Sequence, residues 1–262
     1  MTSTLADAGS VAALSVRKGT SQHHDADSAA QELFEALDQP NIKLAVFYCS
    51  PSYDLPALAA ALHARFKGIP LIGCTTAGEI TPQGYLSGSL TGFSMADPTM
   101  DVVTKLMHVD PFDSVGTGQD VSRMLVQLGT RAGAEANRAD TFGFLLIDGL
   151  AMQEETVVSC VYSQLQGIDL IGGSAADEVS FGATYLYHEG AFHQNVALLS
   201  LVRTELPFLA FRTQHFVKSS TRMVVTSADP ARRTVSEING KPAAREFARL
   251  LNLDITELSP MI

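Results

Sequence analysis

Three histidines in the last third of the sequence, His188, His193 and His215, lie among aromatic and aliphatic residues in stretches that are typical of strands. A neutral imidazole in an apolar wall can be an axial ligand to haem iron. The alternative is a core or interface histidine with both ring nitrogens hydrogen-bonded, and spacing alone favours that alternative for each residue. The sequence has no CxxCH motif, so we do not expect covalent haem attachment.

Two short segments rich in small residues, GCTTAGE (73–79) and GGSAADE (172–178), each follow an apolar run. Glycine, hydroxyl side chains and free backbone N–H groups after a buried strand can bind an anion or a carboxylate. The alternative is that glycine permits close strand packing or a positive φ. The candidate ligand-binding residues are Gly73, Cys74, Thr75, Thr76, Gly172, Gly173, Ser174 and, further along the chain, Arg212.

Arg212 could pair with a haem propionate or with the carboxylate of another small molecule. Arginines are more often solvated or paired with acidic side chains. Cys74 and Ser174 could be nucleophiles, but the nearby sequence offers acidic residues and no histidine as a base. We therefore expect no enzymatic activity, and we interpret Cys74 as a small buried residue.

The two small-residue segments belong to an internal repeat. Residues 68–79 and 167–178 share seven of twelve positions at an offset of 99, and the same offset aligns 44–50 with 143–149. The pattern of apolar residues in each copy predicts a strand, an amphipathic helix, a second strand and a polar turn. Residues 195–202 align with the first copy only if about seven residues are added, and we predict that the addition is a hairpin around Glu189-Gly190.

This pattern predicts an α/β fold with two related βαβ-containing halves, mixed sheets packed face to face and helices outside. We expect a first half at 10–135, a second half at 136–228 and a further portion at 229–262. Asp25 or Asp27, and Asp54 or Ser52, are candidate helix N-caps. Among the other expected elements are strands at 10–17, 85–95, 100–109, 207–217 and 222–226, a helix at 117–134 and a linker at 133–140.

Composition excludes several classes of function. The 262 residues carry a net charge of −10, which argues against nucleic-acid and anionic-membrane binding because both need a basic surface. No apolar run reaches the ~18 residues of a membrane span. The N-terminus lacks the pattern of a signal peptide, and three scattered cysteines fit a reducing cytoplasm, so we expect a cytoplasmic protein.

Several long motifs resemble the FIST-domain family of bacterial sensory modules, and together they cover roughly residues 10–255. They are FYCSPSYDLPALAAALHARFKGIPLIGCTTAGEITPQGY, LIDGLAMQEETVV, LIGGSAADE and VVTSADPARRTVSEINGKPAAREFARLL. Members of the family usually continue through a further C-terminal portion. The resemblance therefore implies that 229–262 is the start of that portion and that this chain is a truncated or short member.

Residues 190–230 are similar to the haem-binding, nitric-oxide-sensing (NosP) branch of this family. That resemblance implies non-covalent haem b held by one histidine, with His215, His193 and His188 as the candidates in order of preference. It also implies regulation of a partner histidine kinase or of a cyclic-di-GMP synthase or phosphodiesterase in response to nitric oxide, and a homodimer is left open. The alternative is a haem-free FIST sensor of a small metabolite such as an amino acid.

Overall fold

The computed structural model describes residues 14–178, 182–214, 216–230 and 232–258. His215 lies outside the described residues, as does the first half (10–13) of the predicted strand at 10–17. The chain divides into two compact units, Met1–Phe211 and Arg212–Ile262. The larger unit contains both copies of the repeat.

The first repeat forms a sheet in the order β1-β6-β2-β3, in which only β2 and β3 are parallel. Two helices follow β1 and β2, and a separate two-stranded hairpin follows β3. The elements are β1 (Ser15–Ser21), α1 (Ala26–Leu37), β2 (Ile42–Cys49), α2 (Leu55–Arg65), β3 (Leu71–Thr75), β4 (Glu79–Thr81), β5 (Gly84–Leu86) and β6 (Leu90–Ala96).

The second repeat has the same eight elements in the same order, and its sheet runs β7-β12-β8-β9 with only β8 and β9 parallel. The elements are β7 (Asp101–His108), α3 (Ser114–Ala132), β8 (Thr141–Ile147), α4 (Glu154–Gln164), β9 (Asp169–Ser174), β10 (Leu186–His188), β11 (Ala191–His193) and β12 (Val196–Arg203).

The repeat is longer than the sequence identity shows. The strand β7 and the helix α3 pack in the second sheet, so the two repeats meet at residues 97–100. The predicted division after residue 135 and the predicted linker at 133–140 fall inside the second repeat. Because the first repeat has its own hairpin, the added residues of the second copy lengthen the connection between β9 and β10 and do not create the hairpin.

The constant offset also needs a correction at β2 and β8. The amide of Thr76 donates to the carbonyl of Cys49, while Ala175, its equivalent at an offset of 99, donates to Ile147. The second copy therefore has one more residue than the first between its first parallel strand and its helix.

The two sheets pack face to face, as predicted. Leu44 and Val46 of β2 share one core with Leu146 of β8 and Leu198 of β12. Because successive side chains of a strand point to opposite faces, the alternate residues face the helices. The helix-side residues Ala45, Phe47, Leu145 and Ile147 lie in two outer cores with α1 and α2, and with α3 and α4.

Side-chain caps fix where the helices begin. The carboxylate of Asp25 accepts a hydrogen bond from the amide of Ser28 at 2.8 Å, and Asp54 accepts one from Ala57 at 3.0 Å. Both N-caps were among the sequence candidates. Asp113 caps α3 in the same way, so that helix begins three residues before the predicted start.

The smaller unit contains β13 (Val225–Asp229), β14 (Thr234–Ile238), β15 (Lys241–Pro242), α5 (Ala243–Leu251) and a short 3₁₀ helix at Ile255–Glu257. The predicted strand at 207–217 is wrong where the structure describes it, because residues 207–214, 216 and 217 do not have strand conformation. Leu209, Phe211 and Val217 are exposed there, and Phe208 packs against Phe142. The predicted strand at 222–226 overlaps the start of β13. In the described part of the chain no helix is both long and apolar enough to cross a membrane.

Candidate functional site

The hairpin β10–β11 of the second repeat completes the sheet of the first. Strand β10 pairs antiparallel with β3, and Leu186, Tyr187 and His188 lie opposite Cys74, Gly73 and Ile72. The ring of Tyr187 contacts the rings of Phe47 and Phe192 edge-on, at centroid distances of 5.1 and 5.5 Å. These aromatic contacts anchor the hairpin on the helix side of the sheet.

His188 lies on the other face of the hairpin, which is the face between the two sheets. It is half-buried, and burial lowers the pKa of its imidazole below the ordinary value. The charge of Glu189 opposes this shift, while His193 and Lys105 add to it. His188 is therefore held as a neutral imidazole at physiological pH, which is the form that binds metals.

A cavity of about 360 Å³ lies beside His188, where β3 and β7 begin. We call it the amino-end cavity. Its wall is mainly apolar, and Lys67 and His63 contribute polar atoms. The full lining is His63, Phe66, Lys67, Gly68, Ile69, Pro70, Leu71, Ile72, Val102, Thr104, Tyr187, His188 and Glu189.

The other haem-ligand candidates are placed differently. His193 pairs with Leu186 in the hairpin, shares the inter-sheet face with His188 and is not among the residues that line the cavity. His215 lies outside the described residues. Arg212 is exposed at the start of the smaller unit. Among the described residues no group of three His, Cys, Asp or Glu side chains could hold a bare metal ion.

A second group of polar side chains lies where the parallel strands end, and we call it the carboxyl-end cluster. Buried Glu79 accepts from the hydroxyl groups of Thr76 and Ser89, each at 2.6 Å. Buried Asp148 accepts from the amide of Asn195 at 2.6 Å and from the hydroxyl of Thr184. Glu79 thus links the residue after β3 to the residue before β6, and Asp148, which follows β8, is linked to residues before β10 and β12.

One hydrogen bond of the carboxyl-end cluster joins the two repeats. The hydroxyl of Ser50, at the end of β2, donates to Glu178 of the second repeat at 2.6 Å. Among the described residues, none of the ion pairs includes Glu79, Asp148 or Glu178. Because hydroxyl and amide groups compensate these carboxylates without a cation, the cluster suits a cationic ligand group better than an anion.

The two segments predicted to bind an anion lie partly inside strands. The segments 73–75 and 172–174 lie inside β3 and β9, and the turns begin only afterwards. The amides of Thr75, Thr76 and Ala175 donate to carbonyl groups of neighbouring strands, so they are not free for a ligand. Cys74 is buried in β3, and burial raises the pKa of its thiol to about 12. Ser174 is exposed on β9.

Sequence reasoning missed several residues of both sites. His63 and Lys67 lie on or just after a helix that reads as amphipathic, and nothing in their spacing indicates a cavity. Ser50 and Asp148 follow equivalent apolar strands, and a polar residue at that point was a usable signal. The other members of the cluster are contributed by segments that only the tertiary fold brings together.

The family model for the FIST N domain matches residues 43–241. This chain belongs to the FIST N domain family. The match covers the seam between the repeats, including the hairpin β10–β11 and both candidate sites. Membership of this family supports a role as a signal-transduction sensor. Among curated proteins none matches the chain.

Two solved structures are similar to this FIST N domain at low identity. One is a cyanuric acid hydrolase from A. caulinodans, with 10% identity, a TM-score of 0.37, and coverage of 76% of this chain and 72% of the other. The second is a cyanuric acid hydrolase described as an evolutionary innovation by structural concatenation, with 9% identity, a TM-score of 0.36, and coverage of 73% and 68%. Likenesses of this strength carry no statement about activity.

Proposed function

We propose that this FIST N domain senses its signal through haem b bound in the amino-end cavity, with His188 as the iron ligand. The observation that supports the proposal is a half-buried imidazole that lines a cavity with mainly apolar walls and whose pKa is lowered by burial. One histidine could hold the iron, because the porphyrin nitrogens would supply the remaining protein-independent ligands. The absence of a three-residue metal cluster among the described residues is therefore compatible with haem.

Two further features of the cavity bear on this proposal. The volume of about 360 Å³ is within the range of about 300–1,000 Å³ for ligand pockets, at its lower end. Lys67 could pair with a propionate, although Glu189 also lines the cavity, and Ile69, Ile72 and Val102 would contact the ring. Haem bound here would supply an iron that takes up nitric oxide.

The position of His188 suggests how occupancy would be transmitted. His188 is on β10, which is hydrogen-bonded to β3 and whose turn lies against α2 through Gly190 and His63. A shift of the hairpin would therefore move the surface of the first repeat. We propose that this surface regulates a histidine kinase or a cyclic-di-GMP synthase or phosphodiesterase without catalysis by this chain, and that the protein acts in the cytoplasm.

The test is an optical spectrum of the protein after reconstitution with haemin, then after reduction and addition of nitric oxide. We expect a sharp Soret band that shifts at each step and that His188→Ala abolishes. His24→Ala is the matched control, since His24 is exposed far from the hairpin in sequence. His193→Ala and His215→Ala are measured in the same series. If His188→Ala retains the Soret band and one of these two variants loses it, that histidine is the iron ligand in place of His188.

A second candidate function is supported by the carboxyl-end cluster. Its carboxylates and hydroxyl groups, without a compensating cation among the described ion pairs, suit the ammonium group of a small metabolite such as an amino acid. A panel of amino acids would then raise the melting temperature while haemin would not. Glu178→Gln should remove that rise in melting temperature. Glu35→Gln is the control, since Glu35 is exposed on α1, and it should leave the rise unchanged.

A further inference from the structure

The second repeat has a free sheet edge at the place where the first repeat is covered. In the first repeat, β10 of the hairpin pairs with β3 along its outer edge. The equivalent strand β9 is the last in its sheet, so its outer edge has no partner among the described strands. A row of unpaired N–H and C=O groups on such an edge can accept another strand.

Equivalent side chains of β3 and β9 also differ in how far they are exposed. Ile72 of β3 is 1% exposed, and its equivalent in β9, Ile171, is 37% exposed. At the position of buried Cys74, a Cβ added to Gly173 would meet no atom within 4 Å. The inter-sheet face of β9 is therefore missing the cover that the hairpin gives to β3.

The helix α4, which lies beside β9, also has exposed apolar residues where its equivalent α2 is covered by the hairpin. In the first repeat β11 packs on α2, and the ring of His63 lies against Gly190 of the hairpin turn. The positions on α4 equivalent to Ala59 and His63 are Val158 and Tyr162, which are 41% and 56% exposed. Val158 and Tyr162 on the helix side and Ile171 on the inter-sheet side thus leave apolar surface on both faces beside the open edge of β9, and we call these three residues the α4–β9 patch.

The chain also has an unpaired hairpin of matching construction. The hairpins β4–β5 and β10–β11 each have two three-residue strands joined by a two-residue turn. Their central pairs are Ile80 with Tyr85 and Tyr187 with Phe192. The second pair is packed against the first repeat, whereas Ile80 and Tyr85 are 87% and 66% exposed.

We propose that a second copy of this chain covers the α4–β9 patch with its β4–β5 hairpin. Strand β4 would pair antiparallel with β9 in the register of β10 on β3, which places Thr81 opposite Ile171 and Ile80 opposite Gly172. Ile80 and Tyr85 would then pack against Val158 and Tyr162 on α4. Because the described part of each chain has both this exposed hairpin and the open outer edge of β9, two chains that exchange hairpins form a closed pair.

The first test measures the mass of the full chain in solution by light scattering over a wide range of concentrations. We expect a dimer, and we expect both Ile80→Arg and Tyr162→Arg to return the mass to that of one chain. Val126→Arg is the matched control, since Val126 is an exposed apolar residue on α3, away from the patch, and should leave the dimer intact. Circular dichroism of each variant checks that the fold is retained.

The second test fixes the register. Opposite residues of antiparallel strands have Cα atoms about 4.5–5.5 Å apart, which suits a disulfide. In a Cys160→Ser background, a Thr81→Cys chain mixed with an Ile171→Cys chain should give a covalent heterodimer under mild oxidation, and neither should crosslink to a Val126→Cys chain. A chain that stays monomeric at every concentration would overturn the proposal and leave the patch to another partner, and so would an oligomer that persists in both arginine variants.

Discussion

Gly172 and Gly173 are neighbours in β9, and the fold requires glycine at only one of them. Gly172 has a φ of 153°, and a Cβ there would lie 1.8 Å from the carbonyl oxygen of Leu145. In the first repeat a Cβ on Gly73 would meet the ring and carbonyl of Phe47. Strand packing thus explains Gly73 and Gly172 without a ligand, which was the alternative that the sequence left open.

This difference predicts opposite outcomes for two adjacent substitutions. Gly172→Ala should lower the free energy of unfolding by about 1–3 kcal/mol or more, because β9 must move away from β8 or adopt a strained backbone. Gly173→Ala should change it by less than about 0.5 kcal/mol, since its Cβ meets open space. Urea unfolding followed by circular dichroism compares the two, and equal losses would contradict the packing argument.

His188 predicts a dependence of stability on pH. Burial lowers the pKa of its imidazole in the folded chain, so the unfolded chain binds more protons between that pKa and about 6.5. The free energy of unfolding should therefore be highest above pH 6.5 and should fall as the pH drops towards the folded pKa. His188→Asn should flatten this fall while exposed His24→Asn should not, as measured by urea unfolding at pH 7.5 and 5.5. An unchanged pH slope in His188→Asn would contradict the assignment of the effect to this residue.

At the scale of elements, β10–β11 depends on Tyr187 for its attachment to the first repeat. Tyr187→Ala removes the contacts with Phe47 and Phe192 and should cost about 3–5 kcal/mol, as for other large aromatic truncations. Hydrogen exchange should increase along β3, whose outer edge the hairpin protects. Tyr187→Phe keeps the ring and should cost only about 1 kcal/mol. Exchange in β3 that stays slow in Tyr187→Ala would show that the hairpin is held by its other contacts.

The sequence predicts an element well when the residues that determine it are close together in the chain. The caps at Asp25 and Asp54 and the turn at Glu189-Gly190 are local, and the sequence predicts them correctly. The strands β1 and β7 are equivalent in the fold but share no sequence identity that would show it, so sequence alone does not reveal that the second repeat begins at β7. The segment 207–217 has the apolar pattern of a strand but pairs with none of the described strands, and periodicity alone cannot supply a partner strand.

For the molecule as a whole, the central question is whether the two repeats fold as one. Their sheets share a core that includes Leu44, Leu146 and Leu198, and Ser50 donates to Glu178 across the seam. Sequence alone predicted the face-to-face packing, because strands that are apolar on both faces need cover on both. It could not predict the crossing of β10–β11, since nothing in a hairpin sequence states which sheet edge it joins.

A shared core predicts cooperative unfolding of both repeats. Leu198 is fully buried between the sheets, so Leu198→Ala should cost about 2–5 kcal/mol. Because the core belongs to both sheets, the loss should appear equally in the exchange rates of slow amides in β2 and in β8, under conditions where exchange occurs by global unfolding. Val126→Ala is the control, since Val126 is exposed on α3. It should change the free energy of exchange in β2 and in β8 by no more than about 0.5 kcal/mol. If Leu198→Ala speeds exchange in β8 and β12 while β2 is unaffected, each repeat has its own stability, and the seam is an interface between two folding units.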